Sequence, residues 1–227
     1  MHSRATAGTT GRYVAAGLVL CAAVARAGQP EPVGPATSEA VALCNEADQV
    51  SVAERSAVLA RGLARAEEAV RADPRDAVAH FAVFCNLGKR LEMERQGRRL
   101  FATLGDLHRV QREIDITLAL APDYPAALAA KGEMLVELPR LLGGNPQEGE
   151  RLLRRAVALD PDDARMRLML ANVFRATGER DQALANAAMA LGILERAGAA
   201  SELADARGLV AALALSGDHP SEGVAQP

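Results

Sequence analysis

LALAPDYPAALAAKGEMLVELPRLLGGNPQEGERLLRRAVALDPDDARMRLMLANVFRATGERDQALANAAMA, residues 118–190, decides the fold. Its apolar residues recur at helical spacing, and breaks of one chemistry interrupt them. Pro122 stops one helix, because the residue before a proline is driven out of the helical region. Asp123 caps the next, with Pro125 in its permitted first turn. That helix carries Ala127, Leu128, Met134, Leu135 and Leu138 and ends at Pro139. Gly143 and Gly144 allow the left-handed backbone of a tight turn. Asn145, Pro146 and Glu148 then supply a cap, an N1 proline and an N3 acid, a strong start signal. The helix they open runs to Leu159 through Leu152, Leu153, Ala156 and Val157. Asp160-Pro161 stops it, Asp162 or Asp163 caps a helix with Leu168, Leu170, Ala171 and Phe174, and Thr177-Gly178 turns the chain. Another helix follows through Ala183, Leu184, Ala187 and Leu191.

The same grammar extends outward. Thr37 or Ser38 caps a first helix with Val41, Leu43, Cys44 and Ala47. Ser51 and Glu54 form a capping box for a helix over 52–72, closed by Asp73-Pro74. Asp76 caps a helix over 77–95 that holds Phe81, Phe84, Leu87 and Leu91. Gly97 and Gly105 interrupt the pattern before a helix to Leu120, and Ser201 caps a last helix to Leu215. The chain has no Trp, two Tyr and four Phe. Abundant Ala and Leu with few β-branched or aromatic residues favour helices packed closely on small side chains. The fold class is all-α, built from antiparallel helical hairpins.

The ends differ from the middle. Residues 1–27 carry Arg4 and Arg12, an apolar run from Val14 to Val24, and an Ala25-Arg26-Ala27 cleavage pattern, so they read as a secretory signal peptide. The apolar run is too short to span a membrane. Cys21 after Leu20 leaves lipidation open, as does retention of the segment as an anchor. Residues 28–37 hold Pro30, Pro32 and Pro35 and read as a Pro-rich linker. The helical domain then covers 38–215, and 216–227 reads as a disordered tail. Cleavage removes Arg26 with the other two arginines and no acid, taking the formal charge from −3 to −6. A net acidic chain with few aromatics lacks both the electrostatic footprint and the stacking platforms of a nucleic-acid binder. The expected address is periplasmic or secreted.

Catalytic chemistry is not written into the chain. His2, His80, His108 and His219 have no ligand-type neighbours at metal spacing, so neither a metal nor a cofactor is expected. Gly143-Gly144-Asn145 lacks the Gly-Lys-Ser/Thr of a phosphate-binding loop. Ser51 and Ser201 read as helix caps rather than nucleophiles. Glu133 and Glu137, at i and i+4, place two carboxylates on one helix face, which reads as a solvated stripe. The cluster Arg95, Arg98, Arg99, Arg109 and Arg112 likewise reads as a solvated basic face. The expectation is a protein that is not an enzyme.

The prolines closing successive helix pairs, Pro74, Pro122 and Pro161, are 48 and 39 residues apart. Removing the excess around 141–145 places Gly132 at a small-residue position flanked by Leu128 and Leu135. The next unit fits without insertion through Leu170, Ala171, Phe174, Ala183, Ala187 and Ala190. In this register the chain resembles the tetratricopeptide-repeat (TPR) family, whose ideal period is 34 residues, over roughly 51–196. The preferred Trp is absent from every unit. The resemblance implies hairpins stacked as a right-handed superhelix, since one hairpin cannot bury its apolar face alone. It also implies that the first helix of each pair lines a concave groove, giving Phe81, Lys89, Glu133, Glu137, Arg165, Leu168, Asn172 and Arg175 as candidate ligand- or partner-binding residues. Asn172 stands where peptide-clamping members often carry Asn, while the other clamp positions differ. Residues 138–145, LPRLLGGN, together with Arg155-Ala156-Val157, look like a segment of the periplasmic TPR proteins that accompany TRAP-type solute transporters and meet a substrate-binding protein. Three functions follow as expectations: a scaffold that binds another protein or peptide, a transport accessory, or a subunit that self-associates through uncapped ends. Stacking makes the first and third helices neighbours, so Cys44 and Cys85 are expected to approach, with a disulfide as one outcome in an oxidising compartment.

Overall fold

A computed structural model describes Pro30 and residues 34–96 and 103–215. The described residues form α1 (Pro35–Glu46), α2 (Val52–Ala72), α3 (Ala77–Gln96), α4 (Thr103–Leu120), α5 (Pro125–Glu137), α6 (Pro146–Leu159), α7 (Ala164–Thr177), α8 (Arg180–Ala197) and α9 (Ala200–Leu215). A single 3-10 turn, Arg140–Leu142, joins α5 to α6. The signal segment, the tail and Arg98 and Arg99 lie outside the described residues.

The start signals act largely where the sequence places them. The Asn145 side chain accepts from the Glu148 amide at 3.2 Å, and Asp163 accepts from the Met166 amide at 2.9 Å. The Asp76 carboxylate accepts from the amides of Val78 and Ala79, and Glu54 accepts from the Ser51 amide and hydroxyl. Each bond from an amide satisfies a group that a helix start leaves unpaired. Gly178 (φ 82°) and Gly198 (φ 68°) end α7 and α8 in the left-handed region.

Some starts differ from expectation. Helix begins at Pro35 rather than at 38, with Gly34 in the cap position, so the linker over 28–37 is shorter than its prolines suggest. Pro35 sits at N1, where its missing N–H is no loss. Thr37 therefore lies inside the helix and turns inward, donating its hydroxyl to Asp76 at 2.7 Å. Tyr124, not Asp123, occupies the cap position of α5, and Asp123 pairs instead with Arg155. Ser201 falls within α9, which starts at Ala200.

Four hairpins, α1/α2, α3/α4, α5/α6 and α7/α8, follow one another, and α9 packs on α8. Helix α1 also packs on α3, and α5 on α7, so the odd-numbered helices line one side. The largest core centres on Leu128, Leu153, Leu170 and Phe174 and joins α5 through α9. At the seam between the second and third hairpins, Phe81 stacks on Phe84 and tilts against Tyr124, with ring centroids 5.9 and 5.0 Å apart. Burial, then the charge of Asp76, pushes the Tyr124 phenol up to about 12. Cys44 of α1 and Cys85 of α3 form a disulfide, with their α-carbons 6.2 Å apart. Nearby, fully buried Asn86 donates to the Ala40 and Ala82 carbonyls.

Two helix crossings require glycine. A β-carbon on Gly132 would lie 2.8 Å from the Gly149 carbonyl oxygen, and one on Gly149 would lie 2.6 Å from the Gly132 oxygen and from Val136. Each glycine is the other's clearance, so α5 and α6 meet backbone to backbone. At the other crossing, Gly62 of α2 makes room for the Asn86 side chain, which a β-carbon would meet at 2.0 Å.

The expected effect of Gly149→Ala is a loss of about 1–3 kcal/mol, the usual range for overpacking, read from urea unfolding. Gly208→Ala on α9, where a β-carbon meets nothing within 4 Å, should instead add roughly 0.5–1 kcal/mol. Replacing both Cys44 and Cys85 by Ala should cost about 2–4 kcal/mol, since the bond closes a separation of 41 residues in the unfolded chain.

Candidate functional site

The odd-numbered helices present a common face. At helical spacing, α3 offers Phe81, Cys85 and Lys89, α5 offers Glu133 and Glu137, and α7 offers Arg165, Leu168, Asn172 and Arg175. Helix α5 lies between α3 and α7, yet Lys89 and Arg165 are within electrostatic reach of each other, as are Arg165 and Glu133.

The expected residues divide by what the fold does with them. Lys89, Glu133, Glu137 and Arg165 come together. Asn172 and Arg175 are exposed on the same face of α7. Phe81 is half-buried in the α3–α5 seam, where the aromatic trio engages it. Leu168 is taken up by packing with Ala164, Ala190 and Ala206, because α9 covers that edge of α7. Both apolar residues pack in seams and stay partly exposed.

Lys89 is anchored. Its ammonium donates to the Cys44 carbonyl at 2.9 Å and pairs with Asp48 at 2.5 Å. Burial holds its pKa below the usual lysine range, and the Asp48 carboxylate partly restores it. The α1–α3 disulfide and this ammonium therefore fasten the same corner of the face.

Glu133 departs from the solvated stripe expected of it. It is half-buried, and burial raises its pKa, with Glu137 adding to the rise and Arg165 opposing it. Among the described residues no hydrogen bond or ion pair engages Glu133, Glu137, Arg165 or the Arg175 side chain. On the outer helices several arginines are paired. There Arg65 pairs with Glu39 and Glu68, Arg109 with Glu67, Arg151 with Glu148, and Arg154 with Glu150.

Two further features lie off this face. A depression of about 470 Å³ between α6, α7 and α8 is floored by Leu170 and Phe174. Its rim is occupied: Arg154 stands 4.6 Å from the Phe174 ring centroid and also donates to Glu150 and Gln182. Between α3 and α4, buried His80 contacts Glu113 through Nδ1 at 2.6 Å and the Pro74 carbonyl through Nε2 at 3.1 Å. Both ring nitrogens are engaged in holding the hairpin together. Among the described residues no cluster of His, Cys, Asp and Glu has the makings of a metal site. Among them, too, no helix is long and apolar enough to cross a membrane.

Sequence reasoning missed Gly149, Gly62 and Asn86, which set the helix crossings. Periodicity gives no sign of a close approach, since a helical glycine looks the same at an open position such as Gly208.

No protein-family model matches the chain, and no curated protein matches it. Solved structures do. The chain is similar to TTC0263, a thermophilic TPR protein in Thermus thermophilus, at 23% identity and a TM-score of 0.56, over 78% of this chain and 81% of that one. It also aligns with MamA, residues 41 to the end, from Desulfovibrio magneticus RS-1, at 18% identity and a TM-score of 0.45, over 82% and 99% of the two chains. The first likeness is one of fold: the helical hairpins stack as in TPR proteins.

Proposed function

We propose that this protein is an exported, non-catalytic scaffold that holds a segment of another protein on the concave face of α3, α5 and α7. The observation that carries the reading is the set of uncompensated charges on that face. Glu133, Glu137, Arg165 and Arg175 are without protein partners among the described residues, whereas many outer arginines are paired within the chain. Surface charges arranged this way serve partner choice and orientation more than stability. The cleavage pattern before Gly28 and the Cys44–Cys85 disulfide both suit an oxidising, extracytoplasmic compartment.

A second reading, the accessory subunit of a TRAP-type transporter, rests on 138–145. There Leu141 is 98% exposed on a turn held by bonds from the Asn145 amide to Leu135 O (2.8 Å) and from Gln111 to Leu142 O (2.8 Å). Gly143 takes φ 92° in this turn, and a β-carbon on Gly144 would collide with the Leu138 oxygen. A turn so fastened presents Leu141, and in part Leu142, to the outside.

A photo-crosslinking residue placed at position 172, 141 or 151 tests both readings in the native host. Heavier adducts from 172, with none from 151 on the outer face of α6, are the expected result. Adducts to a solute-binding protein from 141 alone would favour the transport reading. Products of twice the chain mass alone would favour self-assembly. Equal labelling from all three positions would overturn the groove reading. The same host should yield a chain beginning at Gly28, with both cysteines resistant to alkylation until reductant is added, as mass spectrometry reads directly.

A further inference from the structure

The concave face is unsatisfied in a particular way. Glu133 is half-buried, and no hydrogen bond or ion pair from any other described residue reaches it. Glu137 stands one helical turn on, exposed and also unpaired. Arg165 is near enough to affect Glu133 electrostatically but makes no contact ion pair with it. Lys89, the other cation in reach of Arg165, is committed to Asp48 and the Cys44 carbonyl. A carboxylate withdrawn from water without a compensating bond is costly. That acid and the exposed Glu137 on α5, with Arg165 of α7 in electrostatic reach, form a charge pattern with a definite complement.

We propose that the face takes a polypeptide segment carrying a lysine or arginine, seated on Glu133 and Glu137, next to an acidic side chain seated on Arg165. This rests on the groove reading and gives its partner a chemistry. A segment suits the site better than a small zwitterionic solute because the face is open. Small-molecule sites enclose most of their ligand's surface, and the 470 Å³ depression is lined by other residues. The carboxylate pair, not a cationic clamp, supplies the anchor, and Arg165 sets the direction in which the segment lies.

The chain's own titration gives an independent handle. Glu133 has a raised pKa in the folded state, so the folded protein holds a proton more tightly there than the unfolded chain. Stability is therefore lost as pH rises from the ordinary glutamate range through the raised value. The charged groups acting on Glu133 are Glu137 from its own helix and Arg165 from α7. Glu133→Gln removes the ionisation and with it that loss.

The test has two arms. In the first, thermal melts of the full chain compare wild type with Glu133→Gln. The variant should melt at or above wild type at neutral pH, with the difference shrinking on acidification. A variant that melts lower at neutral pH would show that the carboxylate serves the fold, and would overturn the proposal. In the second, a random dodecapeptide display library is selected on the wild-type protein. The selected peptides should be enriched in a basic residue next to an acidic one. Their affinity should drop about ten-fold or more with Glu133→Gln/Glu137→Gln, as for hydrogen bonds to charged groups, and should be unchanged with the outer-face control Arg151→Ala. Peptides that lose affinity with Arg175→Glu but show no basic enrichment would overturn this inference and leave the groove reading standing. Peptides indifferent to every inner-face variant, or no selected peptides at all, would overturn both.

Discussion

Helices α5 and α6 touch at Gly132 and Gly149, with no side chain between the two backbones. The hairpins inherit their spacing from contacts of this kind. Ala171, Ala183, Ala187 and Ala190 are fully buried and continue the small-residue seams through α7 and α8, while Leu153 and Phe174 fill the remaining gaps. Closely spaced hairpins stack tightly, and a tight stack carries α7 round until Arg165 comes within reach of Lys89 on α3. The placement of these charges is thus a product of packing, and it depends on glycines remote from them.

The N-terminal end solves a different problem. Helix α1 has no described hairpin before it, so stacking supplies only one side of its burial. Polar and covalent ties make up the difference: Thr37 to Asp76, Asn86 to the Ala40 carbonyl, Lys89 to the Cys44 carbonyl, and the disulfide. Three of the four fasten α1 to side chains of α3 beyond simple apolar contact. Directional bonds also fix orientation, which apolar contact leaves free.

Much of this fold is legible in the chain because helix ends are local chemistry. Asp76, Asn145 and Asp163 cap their helices, and the prolines stop where they must, with no help from distant residues. Gly132 is visible through its place in the repeat. Thr37 reads as a cap because it is a small polar residue near a helix start, whereas its hydroxyl is turned to an aspartate thirty-nine residues on. Position alone assigns Leu168 and Phe81 to the groove, and it does not reveal that the first also packs toward α9 and the second against Tyr124. Glu133 reads as solvated because Glu137 stands one helical turn on and the two form a carboxylate stripe, whereas its partial burial comes from neighbouring helices. The site is legible as a face, then, and not as a set of pairings, because pairings depend on contacts between hairpins.

The cysteine bridge has a mechanical consequence. The whole of α2 and both turns flanking it lie between Cys44 and Cys85, inside a covalent loop with a separation of 41 residues. A chain pulled from its two ends transmits tension across the bridge and bypasses that loop. Roughly 140 Å of contour length, at about 3.3–3.6 Å per residue, stays hidden from extension until the bond is reduced. Helix α2 is thereby shielded from any load on the termini, and α1 and α3 carry it in its place.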